Sequence, residues 1–298
     1  MEDIHTSVKN YLISHGRALE KAKYNYIFNG GSKADITNAL QAYQNEDGGF
    51  AHASEPDFTT DESNPIDTWT AVKTLRLIDL PKDHPLIMST LRYLDKTPYN
   101  ENGYYYYSIP SINDTPHAPW WQYSETRRIQ GYNPTASLVG FILKYAEKDS
   151  PFYMQTYDFY QTMISDFINN PPTEVHELNC FVELYEDVHL LFDTTEFKNT
   201  LKTQIIQTVN PSPQDWFTTY TAKPSDLIHS PETPGYSDIK NIVTLENNLL
   251  LTTRNKDGVW DITWTWGQYD AAFEKAKEAW KSILAFDNYY RIIRFKAT

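Results

Sequence analysis

The chain has 298 residues, of which 40% are hydrophobic, with a formal charge of −13 and a pI near 5.0. That length allows one large domain or two ordinary ones, and the excess of carboxylates repels phosphate backbones, so nucleic acid is not an expected partner. The single Cys180 excludes an internal disulfide and a multi-cysteine metal cage. The first 20 residues lack an apolar signal region and no window of about 18 residues is continuously apolar, which predicts a cytoplasmic protein without an integral membrane segment.

Apolar side chains recur at helical spacing along most of the chain, and the first predicted helix covers residues 5–28. A second helix follows over residues 34–44, and Pro65 stands in the first turn of a third, which runs from residue 64 to 77. Further helices are predicted at residues 85–94, 133–147, 151–169, 173–191, 195–209, 236–253 and 269–285. Only the segment "NYYRIIRF" near the C-terminus has the composition of a strand.

A short turn motif repeats between these helices. It reads "NEDGGF" at residues 45–50, "NENGYY" at 100–105 and "NKDGVW" at 255–260, with a degenerate copy, "NPSPQDWF", that starts at Asn210. Spacings of about 50 residues indicate a repeated unit of two helices. Such units stack as an open solenoid or close into a ring, and the lack of a polar capping repeat favours the ring. We therefore predict an all-α fold in which residues 1–298 form a single domain, an α/α toroid of about six helix pairs.

The repeated turns also carry a family resemblance. The turn "QNEDGGF" follows a helix ending in "LQAYQ" and resembles the Gln-to-aromatic repeat motif of squalene cyclases and protein prenyltransferase β subunits, as does "NKDGVW". The segments "GGFAHASEPD" and "PHAPWW" together resemble a group of bacterial squalene-cyclase-like and prenyltransferase-like proteins. The resemblance covers most of the chain at the level of its repeats. It implies the α/α toroid fold and an isoprenoid-like substrate.

The catalytic motifs of those families are absent from the sequence. It contains neither the D-x-D-D motif of proton-initiated cyclases nor the D-D-x-x-D motif that holds magnesium and diphosphate. The zinc pattern of protein prenyltransferases also fails, because Leu178 stands two residues before Cys180. His176 and Cys180 are four residues apart on a predicted helix, with His189 further along, but no third ligand follows at a clear spacing. We therefore predict no metal and no cofactor.

The first repeat turn has a structural interpretation. Asp47 and Gly48 turn the chain after a helix, and Gly48 and Gly49 permit positive φ. Phe50 is expected to pack between neighbouring helices.

An acidic segment, "AHASEPDFTTDESNPID" at residues 51–67, follows the first turn and no other copy. Carboxylates that lie close together raise one another's pKa, which suits proton donation or the sharing of a cation. Glu55 and Asp57 are the predicted catalytic carboxylates, expected to project from the end of the ring, and their amide variants are expected to leave the melting temperature nearly unchanged. Asp61 and Glu62 are interpreted as N-terminal charges of the next helix. A solvated acidic loop is the alternative.

Two long loops, at residues 97–131 and 210–235, are rich in Tyr, Trp and Pro, which favours ordered and functional segments. In the first loop, "SINDTPHAPWWQY" places His117 between prolines and before Trp120 and Trp121. His117 is the third predicted catalytic residue, as a general base or hydrogen-bond donor. The two adjacent tryptophans cannot both enter a core, so one is expected to be partly exposed, and Trp120 and Trp121 are both predicted to bind substrate. The alternative is a loop pinned by Trp onto the rim of the barrel.

The segment "GVWDITWTWGQYD" at residues 258–270 follows the last repeat turn. Trp260 is the repeat aromatic and is expected in the core. Trp264 and Trp266 fall on the same side of an extended segment. Together with Asp261 they are predicted to bind substrate in a cleft opposite His117, and a purely structural role is the alternative.

Three functions remain open. The first is an enzyme in which Glu55 and Asp57 act on an isoprenoid-like substrate while aromatic rings stabilise a carbocation, by about 1–2 kcal/mol per ring. The second is glycan binding or cleavage, where a hydrolase needs two carboxyls about 5–10 Å apart. The third is a non-catalytic binding or scaffold protein. The expected partner is a small-molecule or oligosaccharide ligand. A deep apolar pocket would favour the first function, a Trp-lined cleft the second, and a filled centre with Glu55 in salt bridges the third.

Overall fold

The structure, a computed structural model, describes residues 3–216 and 219–296. The prediction of an all-α fold is confirmed, because 59% of the structure is helical, with 12 helices and little strand among the described residues. None of the helices in these ranges is both long and apolar enough to cross a bilayer. The single-domain arrangement of residues 1–298 stays a prediction.

The helices follow the predicted order along the chain. Their bounds are α1 Ile4–His15, α2 Ala18–Phe28, α3 Lys33–Gln41, α4 Pro65–Ile78, α5 Pro85–Lys96, α6 Thr135–Tyr145, α7 Pro151–Asn169, α8 Val175–Val188, α9 Thr195–Thr208, α10 Pro224–Leu227, α11 Tyr236–Thr252 and α12 Asp270–Lys296. The long loop before α6 holds a two-stranded hairpin, β1 Asn100–Glu101 and β2 Tyr104–Tyr105, and two 3-10 turns, Pro110–Asp114 and Pro119–Trp121. Ordered structure therefore fills this loop, as predicted.

The prediction of one helix over residues 5–28 is wrong. The backbone becomes extended at Gly16 (φ −65°, ψ 149°) and Arg17 (φ −63°, ψ 153°), which separates α1 from α2. Apolar spacing continues across this break, because both helices bury residues on one side. The Arg17 guanidinium turns back onto Glu20, with Nε 2.6 Å from a carboxylate oxygen, and so closes the first turn of α2.

The C-terminal segment "NYYRIIRF" is helical, which contradicts its interpretation as a strand. Helix α12 continues to Lys296, well beyond the predicted end at residue 285. Phe286, Tyr289 and Ile292 are buried at helical spacing on one side of it. The β-branched and aromatic side chains are placed by this packing, which overrides their preference for strands.

The first and last helices of the described chain pack against each other. Helix α1 lies along α12, and α12 also contacts α2 and α11. These four helices enclose a small apolar cluster of their own, which includes Leu12, Tyr24 and Trp260. The Trp260 indole donates to the Leu250 carbonyl at 2.9 Å. Its predicted place in the core is therefore confirmed.

A second, larger apolar cluster fills the rest of the molecule. Helix α6 is at its centre, since nearly every side chain of α6 is buried, and its closest partner is α8. A helix that is apolar on all sides is stable only when other elements surround it. The polar faces of α4 and α8 are exceptions to this apolar packing and position the site described below.

The repeated turn has the predicted structural role. In the copies at residues 45–50 and 255–260 the Gly N–H donates to the Asn carbonyl at 3.0 Å, and Gly48 and Gly258 have φ of 95° and 76°. Phe50 is fully buried. The expectation for Gly49 is wrong, because its φ is not positive. A Cβ there would lie 2.5 Å from the Tyr93 ring, so this position requires glycine for space.

Candidate functional site

Three carboxyl groups lie together where the loop after the first repeat turn meets the start of α4. Asp67, in the first turn of α4, accepts the Glu55 N–H at 2.7 Å and the Asn64 side-chain amide at 2.7 Å. The Glu55 carboxylate in turn accepts the N–H of Asp57. Asp57 and Asp67 are buried, whereas Glu55 is half-buried. We call Glu55, Asp57 and Asp67 the carboxyl trio.

Burial raises the pKa of every member of the carboxyl trio. For Glu55, burial and the charges of Asp57 and Asp67 raise the pKa to about 8. For Asp67, burial raises the pKa to about 7, although hydrogen bonds from Asn64 and from backbone N–H groups oppose it. Burial also raises the pKa of Asp57, against hydrogen bonds from indole groups. At neutral pH the trio therefore keeps a proton on Glu55, the member nearest to solvent.

Asp57 is held by the two tryptophans that the sequence analysis placed on one side of an extended segment. The indole of Trp266 donates to one carboxylate oxygen at 2.8 Å, and the indole of Trp264 donates to the other at 3.1 Å. Their predicted common orientation is confirmed. The prediction that Asp57 projects from the end of the fold is wrong, because its side chain is 2% exposed. The unchanged melting temperature expected for Asp57→Asn also conflicts with this geometry, since an amide offers one oxygen to two indole donors.

His117 lies beside the carboxyl trio, but its imidazole faces its own loop. The ring is 1% exposed, with Nδ1 2.7 Å from the Thr115 carbonyl and Nε2 3.1 Å from the Gln122 side-chain oxygen. Its backbone carbonyl accepts from Gln268, which ties the loop to the tryptophan segment. Both ring nitrogens are occupied, so the predicted role as general base does not fit, and the residue positions the loop instead.

The adjacent tryptophans divide as predicted, with one buried and one partly exposed. Trp121 is 7% exposed and packs edge-on against Phe58, with ring centres 5.4 Å apart, and against Tyr107 at 4.6 Å. Trp120 is half-buried. A ligand can reach Trp120, and Trp121 forms an aromatic wall next to the trio.

Asp261 does not complete a cleft opposite His117. Its carboxylate is exposed and lies 3.4 Å from the Lys281 ammonium. Asp257 and Glu278 form ion pairs with the same ammonium. This ionic group borders an open depression of about 530 Å³ between α1 and α12. The depression contains none of the carboxyl trio, and its acids already share one lysine. Asp261 is therefore placed on the surface, away from Asp57.

Asp61 and Glu62 are not charges in the first turn of α4. Asn64 caps that helix, and Asp67 is the acid of its first turn. Asp61 pairs with His52 at 3.0 Å, and Glu62 accepts the Tyr99 hydroxyl. Asp67 could have been identified from the Asn64–Pro65 helix start, which fixes it at a capping position.

The sequence analysis missed a set of polar contacts between α4 and α8. We call it the polar seam, and its members are Trp69, Lys73, Arg76, Glu183 and Asp187. Glu183 of α8 accepts the Trp69 indole at 2.7 Å and lies 3.3 Å from Arg76. Arg76 also binds Asp187 at 2.7 Å. Burial would raise the pKa of Glu183, but Lys73 and Arg76 more than offset it and hold the pKa at about 2. Trp69, Lys73 and Arg76 follow the i, i+4, i+7 spacing of one helix face, which was the available signal.

Further polar groups from other elements face the same region. His229 lies 3.1 Å from Glu186 and 2.8 Å from the Asn179 oxygen. Burial would lower the pKa of His229, but Glu186 raises it. Asp287 of α12 is exposed, yet desolvation raises its pKa, with the charges of Lys23 and Lys73 opposing. Charged groups of α2, α4, α8 and α12 therefore act on one another in this region.

The raised pKa values predict a falling stability with rising pH. Glu55 and Asp67 bind protons more tightly in the folded chain, so their contribution is complete below about pH 4 and is lost as the pH rises through about 7 and 8. We expect each group to lower the free energy of unfolding by about 1.4 kcal/mol per pH unit within its window. Urea denaturation of the wild type and of Glu55→Gln from pH 5 to 8 measures this slope. Glu46→Gln, at an exposed position, is the control, and equal slopes for the wild type and Glu55→Gln would contradict the prediction.

Among the described residues, no group of three or more His, Cys, Asp or Glu side chains could hold a metal ion. No family model matches the chain, and neither the curated proteins nor the solved structures contain a match to it. The likeness to squalene cyclases and protein prenyltransferases therefore rests on the quoted sequence segments and stays a prediction.

Proposed function

We propose that the chain is an acid–base enzyme in which Glu55 donates a proton to an oxygen-rich ligand, such as a glycan, inside an α/α toroid. The hydrogen-bonded carboxyl trio is the observation that carries this proposal. A general acid needs a carboxyl that keeps its proton near the working pH and can reach a ligand. Glu55 has a raised pKa, is half-buried, and forms no ion pair within the described part of the chain.

The contact between α1 and α12 supports the toroid, because a ring requires its first and last helices to meet. The charges between the helices support it as well, because groups on α2, α4, α8 and α12 act on one another's pKa values. In a ring the inner helices supply such a lining, and loops at one end give access to it.

The polarity of the groups around Glu55 and Lys73 favours an oxygen-rich ligand. The Lys73 charge acts on the pKa values of Glu55, Glu183, His229 and Asp287. An isoprenoid chain would leave these groups desolvated without partners, which is costly. Hydroxyl groups would hydrogen-bond to them. In this proposal Glu55 protonates the oxygen that leaves when a C–O bond breaks. Water then supplies the hydroxyl that replaces it, and the second proton of that water restores the Glu55 carboxylic acid.

The isoprenoid function remains a second candidate, because Trp121, Tyr107 and Phe58 form an aromatic wall beside the trio. Such rings stabilise a cation by about 1–2 kcal/mol each. The hypothesis of a non-catalytic scaffold predicts that Glu55 forms salt bridges. Glu55 is half-buried and has no ion pair among the described residues, which does not favour that hypothesis.

A thermal-shift comparison tests the proposal. The full chain is heated with neutral oligosaccharides, with prenyl diphosphates and with neither. A ligand at about 100 times its dissociation constant stabilises by about 2.7 kcal/mol. We expect oligosaccharides to raise the melting temperature and prenyl diphosphates to leave it unchanged. Stabilisation by prenyl diphosphates alone would replace the proposal with the second candidate, and stabilisation by neither would favour a scaffold.

A further inference from the structure

A small pocket lies beside the second repeat turn, at residues 100–105. Its volume is about 210 Å³, and the end of α5, the β1–β2 hairpin, α6 and the first half of α7 line it. The inner lining includes the buried side chains of Leu94, Val139 and Ile142, and Phe152 and Phe159 add half-buried aromatic rings. We call this site the hairpin pocket. None of the carboxyl trio lines it.

Tight contacts fix the shape of the hairpin pocket. A Cβ on Gly103 would clash with the Phe159 ring, so the turn of the hairpin lies directly against that ring. The Gly103 N–H donates to the Asn100 side-chain oxygen at 3.1 Å, and the Tyr105 hydroxyl donates to the Leu94 carbonyl at 2.9 Å. The hairpin is thereby tied to α5 on one side and to α7 on the other. The pocket is preformed, which lowers the entropic cost of binding a ligand.

The outer lining of the hairpin pocket is polar and mostly uncharged. Asn102 and Gln155 are exposed, and their side-chain amides form no hydrogen bond to another described residue. Each amide offers an NH₂ donor and an oxygen acceptor. Asp95 is the one charged side chain among the described residues of the lining, and it already pairs with Lys96 at 2.7 Å. The pocket thus offers no cation to an anionic ligand and no unpaired carboxylate to a cationic one.

We propose that the hairpin pocket binds one neutral pyranose ring of a sugar. A cavity of about 150 Å³ holds benzene, so about 210 Å³ accommodates a single six-membered ring with its substituents. The apolar C–H face of the sugar packs on Phe152 and Phe159, and its hydroxyls bind the amides of Asn102 and Gln155. A purely apolar ring would take those amides out of water without giving them partners. The inference goes beyond the proposed function and does not depend on it, because Glu55 takes no part in the hairpin pocket.

Saturation-transfer NMR titrations of the full chain with ring-sized probes test the proposal. D-glucose, D-galactose and D-mannose are neutral pyranoses, the corresponding uronates add a carboxylate, and cyclohexanol keeps a six-membered ring with one hydroxyl. We expect at least one neutral pyranose to bind more tightly than its uronate, because Asp95 repels the added carboxylate. The same pyranose should bind at least about tenfold more tightly than cyclohexanol, because a single hydroxyl cannot satisfy both amides. The preferred pyranose identifies the sugar.

Three variants assign the binding to the hairpin pocket, and their melting temperatures show whether each is folded. Gln155→Trp places a large ring at the mouth from an exposed helix position and is expected to weaken binding at least about tenfold. Phe152→Ala removes an aromatic wall and should weaken binding as well. Met154→Trp, at the neighbouring exposed position of α7 outside the pocket, is the matched control and should bind as the wild type.

The proposal is overturned if no neutral pyranose binds, if cyclohexanol or a uronate binds most tightly, or if Gln155→Trp keeps the wild-type affinity. In that last case the sugar binds elsewhere, and the glycan function proposed for Glu55 stands. Loss of binding in Gln155→Trp, without any turnover by the wild type, would instead support the hairpin pocket and refute the acid–base function.

Discussion

Replacement of Glu55 by Gln is expected to lower turnover by about 10²–10⁴-fold on any glycoside that the chain cleaves, because the amide cannot donate the proton that a carboxylic acid supplies. The substitution keeps the volume of the side chain and one oxygen for the Asp57 N–H. Substrate affinity should therefore change little, and the loss should fall on kcat. Steady-state kinetics of the wild type and the variant measure both quantities.

The pH profile of kcat/KM distinguishes a proton donor from a residue that only shapes the site. A general acid is lost when it ionises, so kcat/KM of the wild type should fall as the pH rises through about 8, the raised pKa of Glu55. That alkaline limb should be absent in Glu55→Gln. Glu46→Gln, an exposed substitution in the preceding turn, should keep the full profile. Unchanged turnover in Glu55→Gln would remove Glu55 from the reaction.

The sequence was sufficient to predict most of the helices, because their ends carry local chemical signals. Asn64 and Pro65 mark the start of α4, and Ser150 and Pro151 mark that of α7. The break at Gly16 carries a weaker signal, a single glycine, since apolar spacing continues on both sides of it. The break is fixed by tertiary contacts, among them the bond from the Arg17 N–H to Ser282 of α12 at 2.9 Å. A local pattern does not contain a partner so distant in the chain.

The residues of the candidate site also divide into those that the sequence could locate and those that it could not. Glu55 and the pair Trp264 and Trp266 could be located from the sequence. The repeat turn precedes Glu55, and the two-residue period of an extended segment places both tryptophans on one side. Lys73 and Glu183 were missed, because charges that recur on one face of an amphipathic helix are also typical of a solvated face. Only the packing of α4 and α8 around α6 turns these charges toward each other. Residue type and spacing thus located Glu55 and Asp57 and missed the charges on the faces of α4 and α8 that meet.

The second large effect is expected from Arg76→Met, which should lower the free energy of unfolding by about 3–5 kcal/mol. The Arg76 guanidinium lies 2.7 Å from Asp187 and 3.3 Å from Glu183, and it donates to the Ser137 carbonyl at 2.7 Å. Both carboxylates are almost fully buried. Methionine fills the volume of the aliphatic stem but leaves two buried charges with weaker partners, since Lys144 lies 3.6 Å from Asp187. Urea denaturation at pH 7 measures the loss, with Arg92→Met, at an exposed position, as the matched control.

The pH dependence of that loss identifies its cause. In Arg76→Met the buried Glu183 and Asp187 keep only weaker partners and bind protons more readily than in the unfolded chain, so protonation stabilises the folded variant as the pH falls. The difference in stability between wild type and variant should therefore shrink between pH 7 and pH 4. Arg76→Lys should fall between the two, because an ammonium keeps the charge but cannot bind two carboxylates through a planar fork. A loss that stays constant with pH would assign the effect to packing of the side chain, and the polar seam would then contribute little to the stability of the fold.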